Sequence, residues 1–584
     1  MINFEPNSEN QLIIYDESTK NWYCFRNPLK ILMAAEPVEI IPLLDEMERT
    51  VSEKGCYAAG FVSYEAASGF DPSLKTRPPG DFPLAWFGIF SPPEKVELPE
   101  ISKESFPDVS WNPGIKEQEY SRGFRKIKDY ISAGDTYQVN YTFRLNSESQ
   151  FNAWEYFLRM IKAQGPGYGA FLRTRDFDIC SASPELFFRL DGEKIISRPM
   201  KGTAPRGLWC EEDVKIAQAL INSEKNRAEN VMIVDMVRND MGRIAEKGSV
   251  RVPELCALER YPTVWHLTST VEARSGAPLS EIFRAMFPPA SITGAPKCRT
   301  MEIIGELEST PRKLYTGTIG FLAPGRKAQF NVAIRTLLKN RHSGISEYGV
   351  GGGIVWDSIE SSEFRECITK AEILTKVFPP FDLLETILWT PQEGFFLLGK
   401  HLERIAGSAS YFSRNIDIDE VRKRLNEEVK QLSAGVYRIR LILKSAGEVN
   451  VESKKIDSSP VSYQVGVAEK PVNSRNTFLY HKTTHRSVYE QARSNSPEMD
   501  DVILWNERNE ITESTIANVV VKKNGEYITP PVKCGLLPGV YRSYLLEKGE
   551  IREAIISKEE LEELSEIYLI NSVRGIWRVR LVGK

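Results

Sequence analysis

Lys201 lies in the run Arg198-Pro199-Met200-Lys201-Gly202-Thr203-Ala204-Pro205-Arg206-Gly207. Proline fixes the backbone on one side of it, and glycine lets a ligand approach on the other. A lysine held in this way attacks carbon when burial or a nearby cation keeps its amine neutral. Glu363 and Glu366 form a second pattern. They stand one helical turn apart on one face, where two carboxylates reach a single hard cation. A third pattern is Gly535-Leu536-Leu537-Pro538-Gly539-Val540-Tyr541-Arg542, a turn running into a helix. The N–H groups of Val540 and Tyr541 at that helix start make an anion site.

The elements that must position these residues are legible in the hydrophobic pattern. Residues 363–376 read as an amphipathic helix with Phe364, Cys367, Ile368 and Ala371 on one face, and residues 227–240 as a helix with apolar residues at helical spacing. Gly134-Asp135-Thr136-Tyr137-Gln138-Val139-Asn140 is a turn feeding a strand, and Ser183-Pro184-Glu185-Leu186-Phe187-Phe188 puts a carboxylate at a strand start. Ser291-Ile292-Thr293-Gly294-Ala295-Pro296-Lys297 opens a further helix. The double proline in Val377-Phe378-Pro379-Pro380 stops the 363–376 helix, and residues 381–389 read as a new strand. This divides the chain into a module at 1–378 and another at 381–584. Residues 92–113, rich in proline, read as a long surface loop within the first.

Composition narrows the function classes. The 584 residues are 41% hydrophobic and 26% charged with a net charge of −4, so no basic excess points to nucleic acid or a membrane surface. The eight cysteines show neither C-x-x-C pairs nor metal-finger spacing, which suits reduced thiols. No secretory signal or membrane-length apolar run is visible. A cytoplasmic enzyme is the expectation.

The Lys201 segment resembles the signature of the chorismate-utilising enzymes, Pro-Ile-x-Gly-Thr-x-Pro-Arg, with Met200 in the isoleucine place. The segments around Gly134, Ser183, Arg227, Ser291 and Gly351 resemble the same family in the same order. The resemblance implies that x separates chemistries: anthranilate synthases carry alanine there and aminodeoxychorismate synthases lysine, as this chain does. It further implies Lys201 as nucleophile on chorismate, Glu185 as general acid and His266 near the ring hydroxyl. Arg335 with Tyr315 would bind a substrate carboxylate, with backbone donors at Gly202, Thr203, Gly351 and Gly353. Glu229, Glu363 and Glu366 would hold Mg²⁺. Asn226 stands where anthranilate synthases have another glutamate, leaving fewer charges around the metal. The chain shows no recognisable glutaminase, so a glutamine amidotransferase partner is implied as the ammonia source.

The second module resembles the fold-type IV pyridoxal phosphate enzymes. Its matching segments are His401-Leu402-Glu403-Arg404-Ile405, Tyr480-His481-Lys482-Thr483-Thr484, Glu510-Ile511-Thr512-Glu513-Ser514, the Gly539 turn and Asn571-Ser572-Val573-Arg574-Gly575. By resemblance Lys482 bonds the cofactor aldehyde, Glu513 pairs with its pyridine nitrogen, and Arg404, Val540, Tyr541 and Ser572 contribute to cofactor binding. Tyr541 replaces the family's usual threonine, which removes a hydroxyl but leaves the backbone N–H. The family contains aminotransferases and aminodeoxychorismate lyase. Fusion to the first module favours the lyase, which makes 4-aminobenzoate for folate. An amino-acid aminotransferase and an inactive dimerisation module are the alternatives, and anthranilate synthase is the rival for the first module. The expected architecture is α+β throughout. The first module should hold two packed antiparallel sheets with outer helices, and the second two subdomains around the cofactor. A homodimer through the second module is expected.

Overall fold

The computed structural model describes residues 8–99, 109–375, 379–456 and 463–582. Backbone contacts divide the chain into two units, one of Met1–Pro205 with Ala217–Phe378 and the other of Arg206–Ile216 with Pro379–Lys584.

In the first unit, long strands with a buried side pair antiparallel into two sheets of ten strands each among the described residues. One contains Gln11–Asp16, Gln138–Ser147, Thr336–Asn340 and Ser346–Ile354; the other contains Tyr57–Val62, Leu186–Asp191, Met200–Pro205 and Val264–Arg274. Leu12, Ile14 and Ile179 of the first sheet meet Phe61, Trp86 and Ile319 of the second in a shared apolar layer. Each large side chain buried there stabilises the fold by roughly 1.5–3 kcal/mol. Helices cover the outer faces. Ile40–Lys54, Glu224–Gly242 and Leu279–Met286 pack on the second sheet. Glu117–Ser132, Ala153–Gln164, Lys297–Leu307 and Glu360–Lys370 pack on the first.

The second unit has a four-stranded antiparallel sheet containing Leu383–Thr390 and Tyr437–Leu443, backed by helices Leu398–Tyr411 and Ile418–Val429. Its other sheet has eight strands among the described residues and is mixed, with Gln464–Val467 running parallel to both Asp501–Trp505 and Gly575–Leu581. The α+β architecture, with paired sheets in one unit and two subdomains in the other, matches the sequence reading.

Local boundaries differ from that reading. The helix with Glu363 and Glu366 begins at Glu360 and ends at Lys370, and a short 3-10 turn, Glu372–Leu374, follows. The helix expected over 227–240 extends to Glu224–Gly242, because the Ser223 hydroxyl caps its first turn by accepting from the Asn226 N–H. Residues 100–108 of the expected loop lie outside the described residues; before them, Glu94–Val96 pairs with Asn21–Phe25. Among the described residues no helix is long and apolar enough to cross a membrane.

Candidate active sites

Lys201 stands on a bulged strand. Met200–Pro205 pairs with Val264–Arg274, but the register shifts between Met200↔Thr268 and Thr203↔His266. An extra residue of this kind re-aims a side chain. The bulge depends on Gly202, whose φ of 101° is a conformation that L side chains rarely adopt. The Asn230 side-chain amide donates to the Lys201 carbonyl at 3.1 Å and anchors the segment. Lys201 Nζ stands 3.4 Å from a Glu229 carboxylate oxygen. A Cβ on Gly353 would lie 2.3 Å from that nitrogen, so glycine at 353 makes room for the amine.

Around Lys201 lies a cavity lined by Glu185, His266, Tyr315, Arg335, Glu363 and Glu366, among others. Glu185 is 3% exposed and accepts a hydrogen bond from Ser291 Oγ at 2.6 Å. Burial pushes its carboxyl up to about 7, against the opposing pull of Ser291, the Met200 N–H and Lys201. A carboxyl with that value holds a proton near neutrality and can give it to a leaving hydroxyl.

His266 is buried between Thr203 Oγ1, 3.0 Å from its Nδ1, and Arg335 Nη2, 3.0 Å from its Nε2. Guanidinium only donates, so Nε2 accepts, and the network assigns the ring proton to Nδ1 facing Thr203. Burial, then the charges of Arg335 and Lys370, hold the imidazole well below its ordinary value. His266 is therefore neutral, and in this arrangement it orients Arg335. Arg335 Nη1 is buried with no hydrogen-bond partner among the described residues. An orphaned guanidinium N–H in a closed site is costly unless an anion takes it.

Glu229, Glu363 and Glu366 line the same cavity. Glu363 accepts from Ser358 Oγ at 2.6 Å. Burial pushes its carboxyl up against that bond, and the charge of Glu366 adds to the rise. Glu366 pairs with Lys370 at 2.8 Å and is held down chiefly by that ammonium. Among the described residues no three acidic, His or Cys side chains form a ready cation cage. The donor set nevertheless suits Mg²⁺, which takes one or two protein carboxylates and completes its shell with water and substrate oxygens. Asn226 also lines the cavity, with its side chain donating to Ser223 Oγ at 2.9 Å.

The second unit has its own cavity, lined by Lys482, Glu513, Arg404, Val540, Tyr541 and Ser572 together with other residues. Burial, then the charge of Arg404, push Lys482 down to about 8, which eases formation of the neutral amine. The carboxylate of Glu513 accepts from Tyr489 OH at 2.7 Å and the Leu537 N–H at 3.1 Å on one oxygen. Among the described residues its other oxygen receives only the Asn518 amide, at 3.3 Å. Burial pushes this carboxyl up to about 7 against its donors. Arg404 grips both oxygens of Glu385 at 2.8 and 2.7 Å and reaches the Pro538 carbonyl at 3.2 Å. Gly539 is the N-cap of helix Val540–Glu547, so the free N–H groups of the first turn open at the cavity. Ser572 Oγ donates to the Thr386 carbonyl at 3.4 Å. A buried lysine, a carboxylate with one oxygen under-used, and a helix start beside an arginine suit pyridoxal phosphate.

Sequence reasoning missed several groups. Gln138 is fully buried, both heteroatoms of its amide lack partners among the described residues, and the amide approaches Gly353 beside Lys201. It lies inside a segment recognised from the sequence, but an uncharged amide gave no separate signal. Lys370 was missed because it reads as an ordinary helix-end cation. Arg438 and Arg440 were missed because alternation on a strand looks like a solvated face.

Residues 9–376 match the family model described as chorismate binding enzyme, and residues 382–582 match the class IV amino-transferase model. Aminodeoxychorismate synthase component 1 of Klebsiella aerogenes is 44% identical over 263 residues, covering 45% of this chain and 58% of that protein. The component 1 protein of Bacillus subtilis (strain 168) is 41% identical over 281 residues, covering 47% and 59%. The chain thus spans less than two thirds of the length of these curated relatives. The crystal structure of anthranilate synthase component I from Streptococcus pneumoniae TIGR4 superposes with a TM-score of 0.52 at 25% identity, covering 64% of this chain and 94% of that one. The chain belongs to the chorismate binding enzymes, and it carries in the same polypeptide a C-terminal unit of the class IV amino-transferase kind.

Proposed function

We propose that the first unit converts chorismate and ammonia into 4-amino-4-deoxychorismate, and that the second eliminates pyruvate from it to give 4-aminobenzoate. The observation that carries the first step is Lys201 in one cavity with the near-neutral carboxyl of Glu185 and the orphaned donor of Arg335. The amine of Lys201 attacks ring carbon C2 while the C4 hydroxyl departs as water with the proton of Glu185, and both ring double bonds shift. Ammonia then adds at C4 and the Lys201–C2 bond breaks, which restores the free amine. Arg335, held by neutral His266, binds one substrate carboxylate through Nη1, with Tyr315 beside it. Glu229, Glu363 and Glu366 would hold Mg²⁺, which when bound screens the other carboxylate. Lysine at 201 and the likeness to component 1 proteins support this reaction over anthranilate formation.

In the second unit Lys482 removes a ring proton and passes it to the methylene carbon of the departing enolpyruvyl group. The C3–O bond breaks, pyruvate leaves and the ring becomes aromatic. Pyridoxal phosphate held by Lys482, Glu513, Arg404 and the Val540–Tyr541 N–H groups supplies an electron sink when bound. The word component in the relatives' names supports a glutamine amidotransferase partner as the source of ammonia. Dimerisation through the second unit belongs to the same reading. The test is product analysis of the purified chain with chorismate, ammonium, Mg²⁺ and pyridoxal phosphate. Joint appearance of 4-aminobenzoate and pyruvate supports both steps. Accumulation of 4-amino-4-deoxychorismate overturns the second.

A further inference from the structure

The cavity of the second unit is lined by more guanidinium groups than carboxylates. Glu513 is the only carboxylate among its described lining residues, whereas Arg404, Arg438, Arg440, Arg486, Arg542 and Arg574 all contribute to the wall. Arg542 pairs with Glu553, and Arg574 lies 5.6 Å from the ring centres of both Tyr463 and Trp577. Arg404 is neutralised by Glu385. Arg486 donates to the Thr515 carbonyl and lies over the Tyr489 ring, 4.6 Å from its centre. The side chains of Arg438 and Arg440 have no such engagement, and neither makes a hydrogen bond or ion pair among the described residues, although their backbones pair within the sheet. They alternate along Tyr437–Leu443, so they share the sheet face that walls the cavity, opposite the face bearing Ile439 and Leu441. Arg438 is exposed and Arg440 half-buried. Glu452, across the neighbouring strand from Arg440, is exposed and forms no ion pair with it.

The register places this pair relative to Lys482. The Leu384 N–H donates to the Lys482 carbonyl at 2.9 Å on one side of strand Leu383–Thr390, and Arg440 pairs with Thr386 on the other. Two strand spacings and a two-residue offset put the Lys482 and Arg440 Cα atoms roughly 12 Å apart. Both side chains line a cavity of about 400 Å³. An amine reacting near Lys482 would therefore have the two guanidinium groups at its far end. In an ordinary amino acid the carboxylate sits on the carbon that bears the amine. In 4-amino-4-deoxychorismate both carboxylates are remote from that carbon.

We propose that Arg440, with Arg438 beside it, is the receptor for the remote carboxylates of a dianionic amine substrate and sets the specificity of the second unit. Guanidinium groups suit carboxylates through paired, charge-assisted hydrogen bonds. The proposal rests on the lyase reading only for the identity of the dianion. The full chain loaded with pyridoxal phosphate is titrated with 3-(carboxymethoxy)benzoate and with 3-methoxybenzoate, which share a ring and one carboxylate and differ in the second. Cofactor absorbance is the readout, so binding at the chorismate cavity gives no signal. The unaltered chain should bind the dianion at least about tenfold more tightly, and Arg440→Gln together with Arg438→Gln should weaken it by roughly tenfold to a hundredfold. Binding of the monoanion should change little. Arg440→Lys should keep part of the preference, and cofactor content and melting temperature show that the variants fold. Equal binding of the two probes, or an undiminished preference in the double variant, overturns the proposal. If the preference depends on these arginines but the chain makes no 4-aminobenzoate from 4-amino-4-deoxychorismate, the receptor stands and the lyase assignment falls.

Discussion

Glu185 and Lys201 divide one displacement between them, and their environments give each step a distinct signature. Glu185 acts in its protonated form, and burial raises its carboxyl to about 7. The protonated fraction falls as pH rises through that value, so the rate of Lys201 adduct formation should fall over the same interval. Intact mass measured with chorismate but without ammonia follows this step and leaves the ionisation of ammonium out of the profile. Glu185→Gln should abolish the falling limb and slow the step by roughly 10²–10⁴-fold. An unchanged limb in that variant would assign it to another group. Lys201→Ala should give no adduct and no 4-amino-4-deoxychorismate from glutamine-derived ammonia. Lys482→Ala should retain that first product and lose conversion to 4-aminobenzoate.

At the scale of elements, two strands shape the space around Lys201 in different ways, and glycine substitutions separate them. Ala at 202 would have to adopt a φ near 101°, so the bulge itself must deform. Gly202→Ala should cost about 1–3 kcal/mol in denaturant unfolding and should also lower activity. Ala at 353 meets the mobile end of Lys201 at 2.3 Å rather than backbone. Gly353→Ala should therefore leave stability nearly intact while displacing the amine and suppressing adduct formation. Loss of stability in both variants, with activity following it, would refute the separation. The elements themselves were largely legible in the sequence, since periodicity found the helix carrying Glu363, and the strand read beside Glu185 begins at Leu186. The bulge was not, because proline and glycine mark irregular backbone without saying whether it lies in a loop or a sheet. The Arg438–Arg440 pair was hidden for a related reason. Alternating charge on a strand reads as solvent-facing even where that face lines a cavity.

At the scale of the whole molecule, each unit has its own hydrophobic core and its own cavity. The first is built on two packed ten-stranded sheets, and the second on separate four- and eight-stranded sheets. Neither proposed chemical step uses a residue from the other unit's cavity. If the intermediate dissociates from the first site as an ordinary product, a chain defective in one step should complement a chain defective in the other. A mixture of Lys201→Ala and Lys482→Ala should then form 4-aminobenzoate from chorismate, although each variant alone forms none. Product should appear after a lag, because free 4-amino-4-deoxychorismate must accumulate before a second molecule takes it up. Raising the concentration of the Lys201→Ala chain should shorten that lag. The same time course for the unaltered chain provides the comparison, since joining two sites raises the local concentration of intermediate only where geometry permits transfer. A mixture that makes the intermediate but no 4-aminobenzoate would show that the Lys201→Ala chain lacks a working second site. A mixture as prompt as the unaltered chain would show that fusion gives no kinetic advantage under those conditions.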